Sequence, residues 1–217
     1  MKDELKPGRS QSIREEIANS ISHGLGLCAC LLAAMPILVI DASRKNRPFA
    51  VLGVVVFGIT LAMVYLSSTI YHALPAGRAK RLFHALDHSA IFLLIAGTYT
   101  PFTLGVLRGG WGWSLLTIVW CIALFGIGLK LIGRVHHTGL YVSLYVTMGW
   151  LAIIALGPIL ERVPIAGVVW IFAGGVAYTF GLIFFAADRL RYNHFVWHLF
   201  VLAGSACHFV AVLRYAY

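Results

Sequence analysis

The chain has 217 residues, of which 60% are hydrophobic and only 12% charged, and its formal net charge is +9. A soluble domain carries about 25% charged residues, so the composition excludes an ordinary soluble enzyme and points to the membrane. The basic residues are scattered over short loops and form no contiguous stripe, which excludes a nucleic-acid-binding surface.

Seven apolar runs are long enough, or nearly so, to span a bilayer as helices: 17–40, 50–73, 82–106, 111–130, 138–157, 165–186 and 194–215. About 20 residues at about 1.5 Å rise cover the hydrocarbon core. The alternating segments of about 10 residues that mark a spanning β-barrel are not seen. The expected fold is therefore all-α, an integral membrane bundle of seven helices. It comprises a charged cytoplasmic segment over 1–16 and a transmembrane domain over 17–217. The first run is longer than the apolar core of a signal peptide, so no cleavable leader is expected. Loops are short and carry turn residues, as in "ALPAGRAK" at 73–80, "LRGGWG" at 107–112 and "GPILERVP" at 157–164. Small residues recur inside the spans, as in "FAGGVAYTFG" at 172–181, and favour close helix packing. Trp111, Trp113, Trp170 and Trp197 fall near span ends, as interfacial anchors or packing groups. Cys28, Cys30, Cys121 and Cys207 all lie within spans and read as buried packing residues rather than disulfides or metal ligands.

Lysine and arginine give the orientation. Eleven fall on the side of the N-terminus and six on the other. The positive-inside rule then puts the N-terminus in the cytoplasm and the C-terminus outside, with the cytoplasmic membrane as the expected location.

Polar residues within the spans carry the functional signal. Seven of the eight acidic residues fall in loops, termini or span edges; Asp87, one turn into the third run, is the exception. An ionisable group there is costly and suggests function, the structural alternative being a helix cap or a bond to a loop amide. His72 ends the second run, His194 and His198 begin the seventh, and His23 begins the first after Glu16 and Asn19. All these ends share one side of the membrane, so distant segments bring polar groups to one depth. His194 and His198, at i and i+4, project from one helical face and can share a metal. Three neutral imidazoles with an open fourth position describe a catalytic zinc site rather than a structural one, and imidazole ligands suit zinc. Ser68 lies one turn before His72, with back-bonding to a carbonyl four residues earlier as its alternative role. His84 and His88, also at i and i+4, bracket Asp87 and read as lining the interface, the alternatives being a partner to a ligand or a ligand in its own right. His136 and His137 read as solvated loop residues. His208 lies about 15 Å along the helix from His198, too far to share an ion, and reads as a buried hydrogen-bonded histidine.

Four ordered motifs resemble one family. "EEIANSISHG" (15–24), "SSTIYHA" (67–73), "LDHSAIFLLIAGTYTPF" (86–102) and "NHFVWHLFVLAGSACHF" (193–209) are similar to the bacterial hemolysin III proteins, which belong with the progestin and adiponectin receptor (PAQR) family. The resemblance covers nearly the whole chain. It implies seven helices, a cytoplasmic N-terminus, and zinc held by His72, His194 and His198, with Asp87 nearby and Ser68 as the motif serine. Its proposed membrane amide hydrolases imply a zinc-dependent hydrolase of a lipid amide or related bond, with Asp87 orienting water or accepting its proton and Ser68 donating to the developing oxyanion. Two other readings stand beside it: a non-enzymatic regulator of the membrane with zinc tying the second and seventh helices, and the pore-forming cytolysin that the family name suggests.

Overall fold

In the computed structural model, which describes residues 10–132, 138–187 and 189–217, the first helix opens on a capping box. The Ser12 hydroxyl accepts from the Glu15 amide, and the Glu15 carboxylate accepts from the Ser12 amide at 2.9 Å. Two amides that the helix itself leaves unpaired are thereby satisfied. This helix, α1 (Ile13–Arg44), is longer at both ends than the apolar run alone predicts. It includes a π turn over Cys30–Ala34. Pro36, two residues after it, has no N–H for the carbonyl of Leu32, and the widened turn absorbs that missing bond.

Six more helices complete the chain: α2 (Pro48–Ala73), α3 (Arg78–Leu104), α4 (Gly110–Ile132), α5 (Gly139–Arg162), α6 (Ile165–Phe185) and α7 (Asn193–Tyr215). Pro48 sits in the first turn of α2, where its missing N–H costs nothing. A 3₁₀ segment, Leu151–Ala155, interrupts α5. The described residues contain no strand, and all seven helices are long and apolar enough to cross a membrane. The chain is an all-α protein with seven membrane-spanning helices, as the apolar runs predict.

The surface suits that setting. On α1, Ile13, Ile17, Ile21, Leu25 and Leu32 face outward, whereas Glu15, Asn19, Ser22, His23, Gly26 and Cys30 are buried. The helix is amphipathic in the inverted sense, with its polar stripe turned to the interior. Inside the bundle α2 packs mainly on α3 and α1, and α7 mainly on α6 and α1. Glycines permit the closest approaches. A Cβ on Gly97 of α3 would run into Thr60 of α2, and one on Gly204 of α7 would lie 2.8 Å from the Tyr178 ring of α6. With no hydrophobic force between helices in lipid, such close packing is a main source of cohesion. All four cysteines are free, but only Cys30 is buried; Cys28 and Cys121 are exposed on the helix surfaces and Cys207 is intermediate. The expectation of four buried cysteines is therefore corrected, because apolar spans place many residues against lipid rather than protein. Trp111 and Trp113 are exposed near the start of α4, while Trp197 is buried.

Two layers of contacts define the ends of the bundle. At one end the start of α1 meets the end of α2, the start of α3 and the start of α7, through Glu16 to His72 and Lys80 and through Glu15 to the Tyr192 amide. At the other, the Val106 amide donates to the Ala216 carbonyl at 2.9 Å and Lys45 lies over the Tyr217 ring. Ser12 and Tyr217 thus lie at opposite ends. The charge asymmetry predicts Ser12 inside, so a C-terminal reporter that works only in the cytoplasm should be silent. An active cytoplasmic reporter at that position would reverse the orientation.

Candidate metal centre

Three histidines from two helices converge on one point near the first of these ends. His72 is the penultimate residue of α2, and His194 and His198 occupy the first turns of α7. One nitrogen from each ring lies within 4.8 Å of the other two. The ring centroids are 4.9 Å apart for His72 and His194, 5.1 Å for His72 and His198, and 4.7 Å for His194 and His198.

The hydrogen bonds fix the tautomers of two of the three rings. His72 Nδ1 lies 2.6 Å from Glu16 Oε2. A carboxylate only accepts, so Nδ1 carries the proton and Nε2 keeps its lone pair. Asn19 Nδ2 is 3.5 Å from the same Nδ1, but two donors cannot bond, which leaves the proton to Glu16. His198 Nδ1 is 3.2 Å from the Asn19 carbonyl and 3.0 Å from Ser22 Oγ, whose own hydroxyl donates to that carbonyl at 2.8 Å. His198 is therefore also protonated on Nδ1, with its lone pair on Nε2. The Nε2 atoms of His72 and His194 are buried and have no partner. Orphaned polar atoms in an interior cost about 1–3 kcal/mol each, and metal-ligating histidines characteristically donate their second nitrogen to a carboxylate or carbonyl. A divalent ion accepted by these imidazoles fits both observations.

Asp87 lies more than two turns inside α3, about 13 Å along the axis from Arg78 at helical rise. The helix starts earlier than its apolar run, so Asp87 is deeper than one turn and does not cap the helix. The residue is 8% exposed. Ser68 is fully buried on α2; its hydroxyl lies close to the Asp87 carboxylate without completing a well-formed hydrogen bond. The back-bonding alternative belongs to the neighbouring Ser67, which donates to the Met63 carbonyl at 2.7 Å. His208 donates from Nε2 to the Ile171 carbonyl at 3.1 Å, joining α7 to α6 far from the triad, as the spacing predicts. The rings of His84 and His88 are tilted against one another with centroids 4.4 Å apart, and His88 lines the cavity beside Asp87. His136 and His137 lie outside the described residues.

A cavity opens from this layer into the bundle. Its polar end is formed by His23, Ser68, Asp87, His88, His194 and His198; its walls are mainly apolar, among them Val64, Leu94, Ile95, Phe102, Leu115, Ile159 and Val201. Both His194 and His208 line it, a separation of about 21 Å along α7 at helical rise.

The sequence places His23, Glu16 and Asn19 of α1 at this depth but gives them no role, and Ser22 goes unnoticed. Glu16, Asn19 and Ser22 hold the rings of His72 and His198, and His23 stacks flat on His198 at 3.6 Å with both of its nitrogens buried and unpartnered. Asp87 is thus not the one acidic side chain at this depth. The signal was present: Ser-Ile-Arg-Glu at 12–15 is a capping-box pattern. It starts the helix early enough to bring Glu16, Asn19 and His23 onto one face.

A multi-pass, seven-helix membrane protein with a buried histidine centre is the class that this fold and geometry define. The chain belongs to the haemolysin-III related family, whose pattern matches residues 11–209. It is 44% identical over 206 residues to the hemolysin-3 of Bacillus cereus, covering 95% of this chain and 94% of that one. It is 41% identical over 204 residues to the hemolysin-3 homolog of Bacillus subtilis (strain 168), covering 94% and 95%. A more distant likeness, 25% over 172 residues, covers 75% of this chain and 69% of the human monocyte to macrophage differentiation factor, a PAQR relative.

Proposed function

We propose that this protein is a zinc-dependent hydrolase of a lipid amide or a related bond, acting near the cytoplasmic face of the cell membrane. The observation that carries this reading is the pairing of three convergent imidazoles, two with their tautomers fixed by α1, with the polar end of a long apolar cavity. His72, His194 and His198 would hold the ion. When bound, zinc supplies Lewis acidity, which polarises a carbonyl and lowers the pKa of a water from about 15.7 to about 7. The rest of the chemistry belongs to the side chains. Asp87, buried at the cavity's polar end, orients the attacking water and accepts its proton. Ser68, whose hydroxyl has no other partner, donates to the oxygen that gains negative charge. The apolar walls take the lipid chain and exclude bulk water, which strengthens both interactions. A membrane lipid is the natural partner of such a cavity, and nucleic acid has no place in it.

A second reading treats the ion as a staple without chemistry. It is favoured by the fact that α2 and α7 pack mainly on other helices, so that a shared ion would join elements that touch little otherwise. The lytic activity suggested by the relatives' name has no such observation behind it. An experimental structure of the zinc-loaded protein separates the first two readings. The hydrolase requires a water or lipid oxygen as the fourth ligand, within hydrogen-bond reach of Asp87. A fourth protein ligand such as His23, closing the site, would make it structural.

A further inference from the structure

We infer that Glu16, clamped by Lys80, is a positioning residue for the metal centre: its carboxylate selects the tautomer and ring orientation of His72 that leave Nε2 free for the ion. This rests on His72 being a ligand.

A neutral imidazole has one N–H and one lone pair, and either nitrogen can carry the proton. For His72 the choice is made from outside the ring. Glu16 Oε2 sits 2.6 Å from Nδ1 while the His72 side chain is 1% exposed, so a charge-assisted bond forms where water competes little. The carboxylate is itself held. Lys80 Nζ donates to Glu16 Oε1 at 2.9 Å and to the carbonyls of Tyr71 and Leu74 at 3.1 Å each. All three ammonium protons are therefore used. The other two acceptors lie at the end of α2, the helix that carries His72: Tyr71 is in its last turn, where carbonyls have no partner within the helix, and Leu74 follows it directly. The start of α3, the end of α2 and the first turn of α1 are thus joined through one carboxylate, and freeing it would release the ring. Glu15, one residue earlier, is turned to a different task in the capping box and on the Tyr192 amide.

The test is metal affinity, which needs no substrate. Protein purified in detergent and stripped of metal is titrated with Zn²⁺ against a competing chelator and with Co²⁺ followed by its visible spectrum. Glu16→Ala should bind about 10–100-fold more weakly, the usual cost of losing an orienting partner, with a changed Co²⁺ spectrum. Glu16→Gln, nearly isosteric, should fall between Glu16→Ala and the parent, because an amide oxygen still accepts from Nδ1 but without charge. It also keeps the test open if the alanine variant fails to fold. Parental affinity in Glu16→Ala, while His72→Ala has lost its metal, would overturn the inference. So would losses in both Glu16 variants that merely track lower melting temperatures of the metal-free forms. Full affinity in His72→Ala would remove the ligand assignment and the role of Glu16 with it.

Discussion

Purified without chelators, the protein should carry about one zinc per chain, and His72→Ala, His194→Ala and His198→Ala should each lower that content sharply. On the proposed assignment the three imidazoles would be the whole protein share of a site with an open fourth position, so no spare ligand in the triad would compensate for a loss. The double variant His194→Ala, His198→Ala should be essentially zinc-free, since only His72 of the triad remains. His208→Ala is the control. Its ring bonds the Ile171 carbonyl and lies about 15 Å along α7 from His198, so zinc should stay. Because binding energy for an ion held only by the folded state adds to stability, melting temperature should fall with zinc in the triad variants. Full zinc in the double variant would refute the ligand assignment.

Asp87→Asn separates chemistry from stapling. Asparagine keeps the shape and a hydrogen-bonding oxygen but cannot take a proton at neutral pH. As a hydrolase the variant should retain near-parental zinc and melting temperature and lose about 10²–10⁴-fold in turnover, the usual contribution of acid–base catalysis. As a stapled regulator it should keep its cellular effect for as long as zinc stays bound. Zinc content, melting temperature and function are therefore measured on one preparation. Function lost with the other two intact supports a catalytic Asp87; all three intact argues against it. Loss of zinc and fold together would make the residue structural.

What could be read without coordinates follows from the physics of the bilayer. The seven spans were legible because lipid demands long apolar runs, and the His194 and His198 pair because the i, i+4 spacing fixes a shared face. His72 and Asp87 came within range because short loops and alternating direction put their helix ends on one side. Other features turn on helical phase, and no composition reveals it. Ser67 and Ser68 are neighbours in sequence, yet one bonds back to its own helix and the other faces Asp87. Glu16, Asn19 and Ser22 seemed to precede or edge the membrane because the apolar run begins after Glu16, whereas the capping box starts the helix at Ile13. The exposure of Cys28 and Cys121 was hidden for a related reason: hydropathy does not distinguish a lipid-facing residue from a core one.

Hydrolysis is tested most directly on N-acyl lipids. Zinc-loaded protein in detergent or lipid vesicles, incubated with a panel of N-acyl lipids, should release free fatty acid from at least one of them. Release should stop on zinc removal, return when zinc is restored, and fall about 10²–10⁴-fold in Asp87→Asn. No release from any N-acyl lipid or related ester by protein shown to hold its zinc and its fold would contradict the claim and leave the staple as the role of the ion.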